Sequence, residues 1–300
     1  MLTPLGTATL PSVPNDPPRS NASTFVPGRL LADRYELLRP LGRGGVGAVW
    51  LARNVRVDKQ VAIKTVHERW SRDTNVRERF KGEALAANRT SHPNIVQVFD
   101  ADETAKGELY LVMEYVDGKN LHELQRDHGT FSLQQAHTIM KEVCSAIAAA
   151  HSVGVIHRDL KPENIMIAGP LSAPMIKVMD FGIAAQMRQA EAESGSGRMT
   201  APGVRIGTPH YMAPEQGGSS QPDPRLDVYS LGVILFELLT GVLPFDHEDP
   251  MQILAQKLAR PAPSLTSLGV KGIPPAVGLL VDAALSTDPR ARPPDASVFL

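Results

Sequence analysis

Cysteine is nearly absent from this chain, with one residue, Cys144, in 300. A lone thiol excludes any internal disulfide and points to a reducing compartment. An excess of charge of one sign is missing too. The 31 basic and 32 acidic side chains leave a net charge of -1, which gives no footprint for nucleic acid or an anionic membrane. Long apolar runs are also lacking. The most apolar window, Val233 to Leu239, is short and contains Glu237, whereas a membrane-spanning helix needs about 20 apolar residues. The N-terminus does not have the basic-then-apolar order of a secretory signal. The expectation is therefore a soluble, cytoplasmic chain. At 300 residues with an apolar fraction of 42% it is long enough for two lobes or two small domains. Cys144 falls in the Ala-rich, helically periodic run Ile139 to Ala150 and reads as a small buried apolar residue rather than a reactive thiol.

Residues 1–33 are rich in Pro, Ser, Thr, Asn and Gly and are expected to form a disordered tail. From Tyr35 the texture changes. Tyr35 to Leu38, Ala48 to Ala52, Val61 to Val66, Ile95 to Phe99 and Leu109 to Met113 read as a five-stranded sheet, with one main helix over Asn75 to Asn88. After Gly118 the chain turns mostly helical, with helices expected at Leu121 to Asp127, Ser132 to His151, Pro224 to Thr240 and Met251 to Leu258. Gln189 to Gly203, rich in Ser and Gly, reads as a mobile loop. The fold class is α+β: a small β-rich lobe over 34–113, a connector at 114–118, and a larger α-rich lobe over 119–300.

Three constellations carry chemistry. Gly42-Arg43-Gly44-Gly45-Val46-Gly47-Ala48-Val49 fits G-x-G-x-x-G-x-V, in which glycines let backbone N–H groups approach phosphates. The same letters fit a dinucleotide-binding turn or a plain tight turn, but Ala48 to Ala52 reads as a returning strand, where a dinucleotide turn would open a helix. Lys64 is the one charge in the apolar strand Val61-Ala62-Ile63-Lys64, and Glu83, nineteen residues on, offers it a partner. Third, His157-Arg158-Asp159-Leu160-Lys161-Pro162-Glu163-Asn164 is followed by Asp180-Phe181-Gly182. That inventory suits phosphoryl transfer from ATP. Asp159 takes the hydroxyl proton, Lys161 neutralises charge on the transferred phosphate, and Asn164 and Asp180 supply hard oxygen donors to a divalent cation. A carboxylate is a weak base at neutral pH, so Asp159 orients the hydroxyl and accepts its proton late.

These motifs, with Gly207 to Glu215, Asp227 to Gly232 and Asp288 to Pro293 in the expected order, resemble the protein kinases over about residues 34 to 299. Lys161 and Thr208 resemble the Ser/Thr-directed branch, and Met166 with Leu231 to Gly241 resembles the bacterial Hanks-type kinases. The resemblance implies a two-lobed Ser/Thr kinase using ATP with Mg²⁺ or Mn²⁺. It implies that Leu41, Gly42, Gly44 and Gly47 cover the nucleotide. Met113 is then the gatekeeper, Glu114 and Val116 read the base edge through their backbone, and Val49, Ala62 and Met166 enclose the ring. Arg292 is the expected ion-pair partner of Glu215. Arg158 implies a phosphate on the activation segment, for which Thr200, then Ser194, Ser196 and Thr208, are candidates.

The resemblance also implies protein substrates and a homodimer for trans-autophosphorylation. Asn120 departs from the family, standing where an acid often contacts ribose, and Ala87 is small for the helix that faces Phe181. The chain stops at Leu300, inside what the resemblance makes the last helix. Two rivals stand beside this reading. One is a pseudokinase that binds nucleotide or partners without catalysis, and the other a nicotinamide-dependent dehydrogenase.

Overall fold

The computed structural model describes residues 25–43, 47–66, 71, 74, 77, 80, 82, 89–181, 209–217 and 223–299. One antiparallel sheet has the order β1-β2-β3-β4-β6-β5. Its strands are β1 (Leu30–Leu31), β2 (Tyr35–Arg43), β3 (Gly47–Asn54), β4 (Lys59–Val66), β5 (Val98–Glu103) and β6 (Leu109–Glu114). Side chains alternate between its faces. Trp50, Val61, Ile63, Tyr110 and Val112 build a cluster on one side, while Ala62, Val66, Leu109, Leu111 and Met113 build another on the opposite side. Both faces of β3, β4 and β6 are largely buried, which is why those strands read as nearly continuous apolar runs. Ser71, Thr74, Arg77, Phe80, Gly82 and Arg89 are helical, and Phe80 enters the second cluster.

The sheet has six strands rather than the expected five, and residues 25–33 do not belong to a tail. Phe25 and Leu31 close the first cluster over Trp50 and Tyr110. Arg29 lies over the Phe25 ring at 4.6 Å and donates to the nearly buried Glu108 at 2.7 Å. Polar composition had masked this, because two isolated apolar residues make no period. Burying a side chain like Phe25 contributes roughly 1.5–3 kcal/mol. The expected tail residues 1–24 lie outside the described residues. The strand expected at Ile95 to Phe99 is offset: pairing starts at Val98, and Ile95 instead bridges Val178.

The larger lobe is built on α1 (Leu121–His128), α2 (Leu133–Ser152), α3 (Arg225–Thr240), α4 (Pro250–Ala259) and α5 (Pro275–Ala284). Asn120 and Ser132 close capping boxes with Glu123 and Gln135, fixing the starts of α1 and α2. Nearly every residue of α3 is buried, as its apolar circumference requires. A Cβ on Gly232 would meet the Ala284 side chain at 2.8 Å, so this glycine lets α3 and α5 approach closely. The α5 helix was not among the expected helices, although proline is well tolerated in a first turn, where Pro275 stands. Also unexpected is a three-stranded sheet of β7 (Lys119–Asn120), β8 (Ile165–Ala168) and β9 (Met175–Val178). It corrects the mostly helical reading at the point where the two lobes meet. The last described residues, 296–299, form a turn with Phe299 buried. Among the described residues no helix is long and apolar enough to cross a membrane.

Candidate active site

The 157–164 segment connects α2 to β8, and a buried carboxylate from α3 holds it. Asp227 is fully buried. Its Oδ2 accepts from the His157 N–H at 2.8 Å and its Oδ1 from the Arg158 N–H at 2.8 Å. His151 Nε2 lies 2.9 Å from the same Oδ2, and its Nδ1 accepts from the Ala296 N–H at 3.4 Å. These bonds hold Arg158 at φ 62°, a left-handed conformation that a residue with a Cβ adopts at a cost. Burial holds the Arg158 guanidinium pKa below its ordinary value, and the Asp227 charge partly offsets that.

His157 organises the next step. Its Nδ1 accepts from the Asp159 N–H at 3.3 Å, so Nε2 carries the ring proton and donates to the Met179 carbonyl at 3.0 Å. The ring rests on Phe181 with centroids 4.7 Å apart. His157 and Phe181 thus tie the loop to the segment after β9.

Asp159 Oδ2 accepts from Lys161 Nζ at 2.8 Å, and its backbone carbonyl accepts from Asn164 Nδ2 at 2.8 Å. Since the Asn164 nitrogen is used there, the amide presents its oxygen as the remaining ligand atom. The β8–β9 hairpin brings Asn164 and Asp180 to neighbouring strand ends, with the Met179 N–H donating to the Asn164 carbonyl at 2.9 Å. Asp180 also has a left-handed backbone, φ 60°, and its Oδ1 accepts from Lys64 Nζ at 2.8 Å across the lobes. One amide oxygen and one carboxylate are hard donors suited to Mg²⁺, which keeps waters and phosphate oxygens for the rest of its shell. Among the described residues no group of three or more His, Cys, Asp and Glu side chains could hold a metal by itself.

Above this hairpin Val49, Ala62, Met113, Val116 and Met166 join one apolar cluster contributed by both lobes. Leu41 is 38% exposed and lies at the end of β2, next to Gly42, which pairs with Val49. Gly47 has a packing reason beside any phosphate role, since a Cβ there would sit 1.7 Å from the Thr65 carbonyl oxygen. The Glu114 N–H is used by Gln97, and its carboxylate accepts from Lys177 Nζ of β9 at 2.8 Å, a second strap between the lobes. Among the described residues no hydrogen bond engages the Val116 backbone, which leaves it open to a ligand. Asn120 is committed to the α1 cap. Gly44, Glu83, Ala87, Ser194, Ser196, Thr200 and Thr208, and the loop over 189–203, lie outside the described residues.

Farther along, the Arg292 guanidinium, buried, makes a two-pronged pair with Glu215 at 2.6 and 2.9 Å and donates to the Ser286 carbonyl at 2.8 Å. Three residues at the site were not anticipated: His151, Lys177 and Lys257. Lys257 could have been found, since it stands four residues after Ile253 and three after Leu254, on the buried face of α4.

Residues 35–298 match the protein kinase domain family. The chain belongs to that family. It is 38% identical over 274 residues to the serine/threonine-protein kinase pkn3 of Myxococcus xanthus, covering 91% of this chain and 50% of that protein. It is 42% identical over 265 residues to the serine/threonine-protein kinase PknB of Mycobacterium leprae, covering 87% and 41%. The kinase domain thus spans half or less of the length of these curated relatives. Its fold is also that of the crystal structure of the Mycobacterium tuberculosis PknI kinase domain, with a TM-score of 0.69, 26% identity, and coverage of 92% of this chain and 96% of that one. The two-lobed fold and the bacterial Hanks-type assignment hold, and family membership implies use of ATP with a divalent metal.

Proposed function

We propose that this kinase domain transfers the γ-phosphate of ATP to Ser and Thr hydroxyls of proteins, and that it autophosphorylates between two copies of the chain. One arrangement carries the reading. The Asp159–Lys161 pair and the Asn164 amide lie in one loop, Asp180 follows the adjoining hairpin, and Lys64 reaches Asp180 from the other lobe, all through bonds that need no ligand. The acceptor hydroxyl oxygen bonds to the γ-phosphorus as the bond to the β,γ-bridging oxygen breaks. Asp159 receives the hydroxyl proton, and ADP leaves. Lys161 spans Asp159 and the phosphoryl group, and Lys64 takes the α- and β-phosphates, with Glu83 as its second anchor. Asn164 and Asp180 hold Mg²⁺, with Mn²⁺ as a substitute, and the ion supplies charge neutralisation on the phosphates when bound.

The adenine lies among Val49, Ala62, Met113 and Met166, against the Val116 backbone. Leu41, Gly42, Gly44 and Gly47 cover the phosphates. Arg158 receives a phosphate on Thr200, with Ser194, Ser196 and Thr208 as further acceptors. A cytoplasmic setting fits the single buried thiol and the need for ATP. The test is transfer from ATP to matched Ser, Thr and Tyr peptides, with Mg²⁺, with Mn²⁺ and with chelator. Metal-dependent labelling of Ser and Thr peptides supports the reading. Nucleotide binding without transfer, or labelling of Tyr alone, refutes it.

A further inference from the structure

The segment 209–216 is held by many bonds to its surroundings, and one side chain supplies three of them. Lys257, on α4, is 1% exposed. Its Nζ donates to three backbone carbonyls: Pro209 at 2.7 Å, His210 at 2.7 Å and Met212 at 2.6 Å. The ammonium also lies 5.0 Å from the centre of the Tyr229 ring, whose surroundings include the Arg292 guanidinium at 4.9 Å. Burial, reinforced by Arg292 and opposed by Glu215, pulls the Lys257 pKa down to about 7. All three N–H bonds of the ammonium are used, which is what an isolated buried charge requires.

The neighbouring groups of the same segment are held as well. The Tyr211 carbonyl accepts from Ser230 Oγ at 2.8 Å, and the Tyr211 hydroxyl donates to Glu237 at 2.7 Å. The Ala213 N–H donates to Gln216 Oε1 at 2.8 Å, and Gln216 Nε2 donates to the Arg158 carbonyl at 3.0 Å. That last bond sets the segment directly against the residue that precedes Asp159. A polypeptide presenting a hydroxyl to Asp159 must run past this wall. The carbonyls of 209, 210 and 212 face inward to Lys257, and this fixes which backbone and side-chain surface the wall turns toward the substrate.

Resting on the kinase reading above, we propose that Lys257 is a positioning residue for the protein substrate, its ammonium gathering three carbonyls into a rigid surface beside Asp159 that receives the chain flanking the acceptor hydroxyl. A lysine suits this place because a compact ammonium addresses three converging oxygens, whereas the planar fork of arginine cannot. The effect is on how the peptide is held, so it separates from nucleotide binding, which uses the cluster between the lobes.

The test compares wild type, Lys257→Met and Lys257→Arg. Each is first profiled on a degenerate library of Ser- and Thr-containing peptides, and steady-state kinetics follow on the best-labelled member. The methionine variant should raise the peptide KM by roughly tenfold or more and flatten residue preference next to the acceptor, while the KM for ATP moves by less than about twofold. The arginine variant should fall between it and wild type. A merely structural role would instead lower kcat for every peptide and leave the preference profile intact, and that outcome overturns the proposal. Should the methionine variant fail to fold, the arginine variant alone decides: a peptide KM and preference equal to wild type overturn the proposal. A wild-type protein that labels no peptide refutes the kinase reading itself, which is a separate result.

Discussion

The Asp227→Asn substitution tests how the catalytic loop is held, and its effect can be worked from the geometry. Asp227 uses Oδ1 for the Arg158 N–H and Oδ2 for both the His157 N–H and His151. An asparagine has one oxygen, so its least costly orientation keeps that oxygen at the Oδ2 position and turns its NH₂ toward the Arg158 N–H. The Arg158 N–H then loses its acceptor and faces the asparagine NH₂, itself a donor, and two charge-assisted bonds become neutral ones. Together these changes cost about 3–5 kcal/mol. For a domain of this size that lowers Tm by roughly 5–10 °C.

Activity should fall as well, and for a distinct reason. The Arg158 backbone at φ 62° carries strain of about 1–3 kcal/mol, which the lost bond had offset. Relaxation of that peptide displaces Asp159, and a displacement of about 1 Å costs on the order of 10²-fold in rate. The assays are thermal unfolding and steady-state transfer to a peptide, with the KM for ATP as an internal control that should stay near wild type. An asparagine variant that melts within about 2 °C of wild type and keeps kcat within about twofold would refute the reasoning.

Two further outcomes follow from the same structure. Lys64→Met should lose most transfer activity, by about 10²-fold or more, because it removes the phosphate-facing cation. It should shift stability by no more than roughly 1 kcal/mol, since the Lys64–Asp180 pair is only half-buried. Full activity in peptide assays would exclude the phosphate role. Arg292→Met removes a buried guanidinium that donates to Glu215 and to three carbonyl groups, and should cost about 3 kcal/mol or more of unfolding free energy by denaturant titration. A change below about 1 kcal/mol would show that the pair is not structural.

How much of this was legible beforehand depends on the range of the interactions involved. The loop 157–164, the glycine hairpin and the strand around Lys64 are local patterns, and they were readable as chemistry without any coordinates. The anchoring of that loop was not. Asp227 lies seventy residues from His157, and nothing in the sequence around it distinguishes a carboxylate that caps a distant loop from one that starts a helix. Residues 25–31 were misread because Phe25 and Leu31 are isolated apolar residues in a polar stretch, and their partners Trp50 and Tyr110 come later in the chain. The α5 helix, with a proline in its first turn, was not among the expected helices. Lys257 was hidden by habit of charge rather than by distance. Its helical spacing from Ile253 and Leu254 places it on the inner face, where three carbonyls wait for it.

The central claim is that Asp159 and its neighbours perform phosphoryl transfer. The most direct measurement incubates the purified chain and its Asp159→Asn variant with Mg·ATP and follows both by intact mass and peptide mapping. The account predicts phosphate gained by the wild type alone, concentrated between residues 194 and 208. Equal gain by the Asn variant, or a wild type that binds ATP and gains nothing, would contradict it.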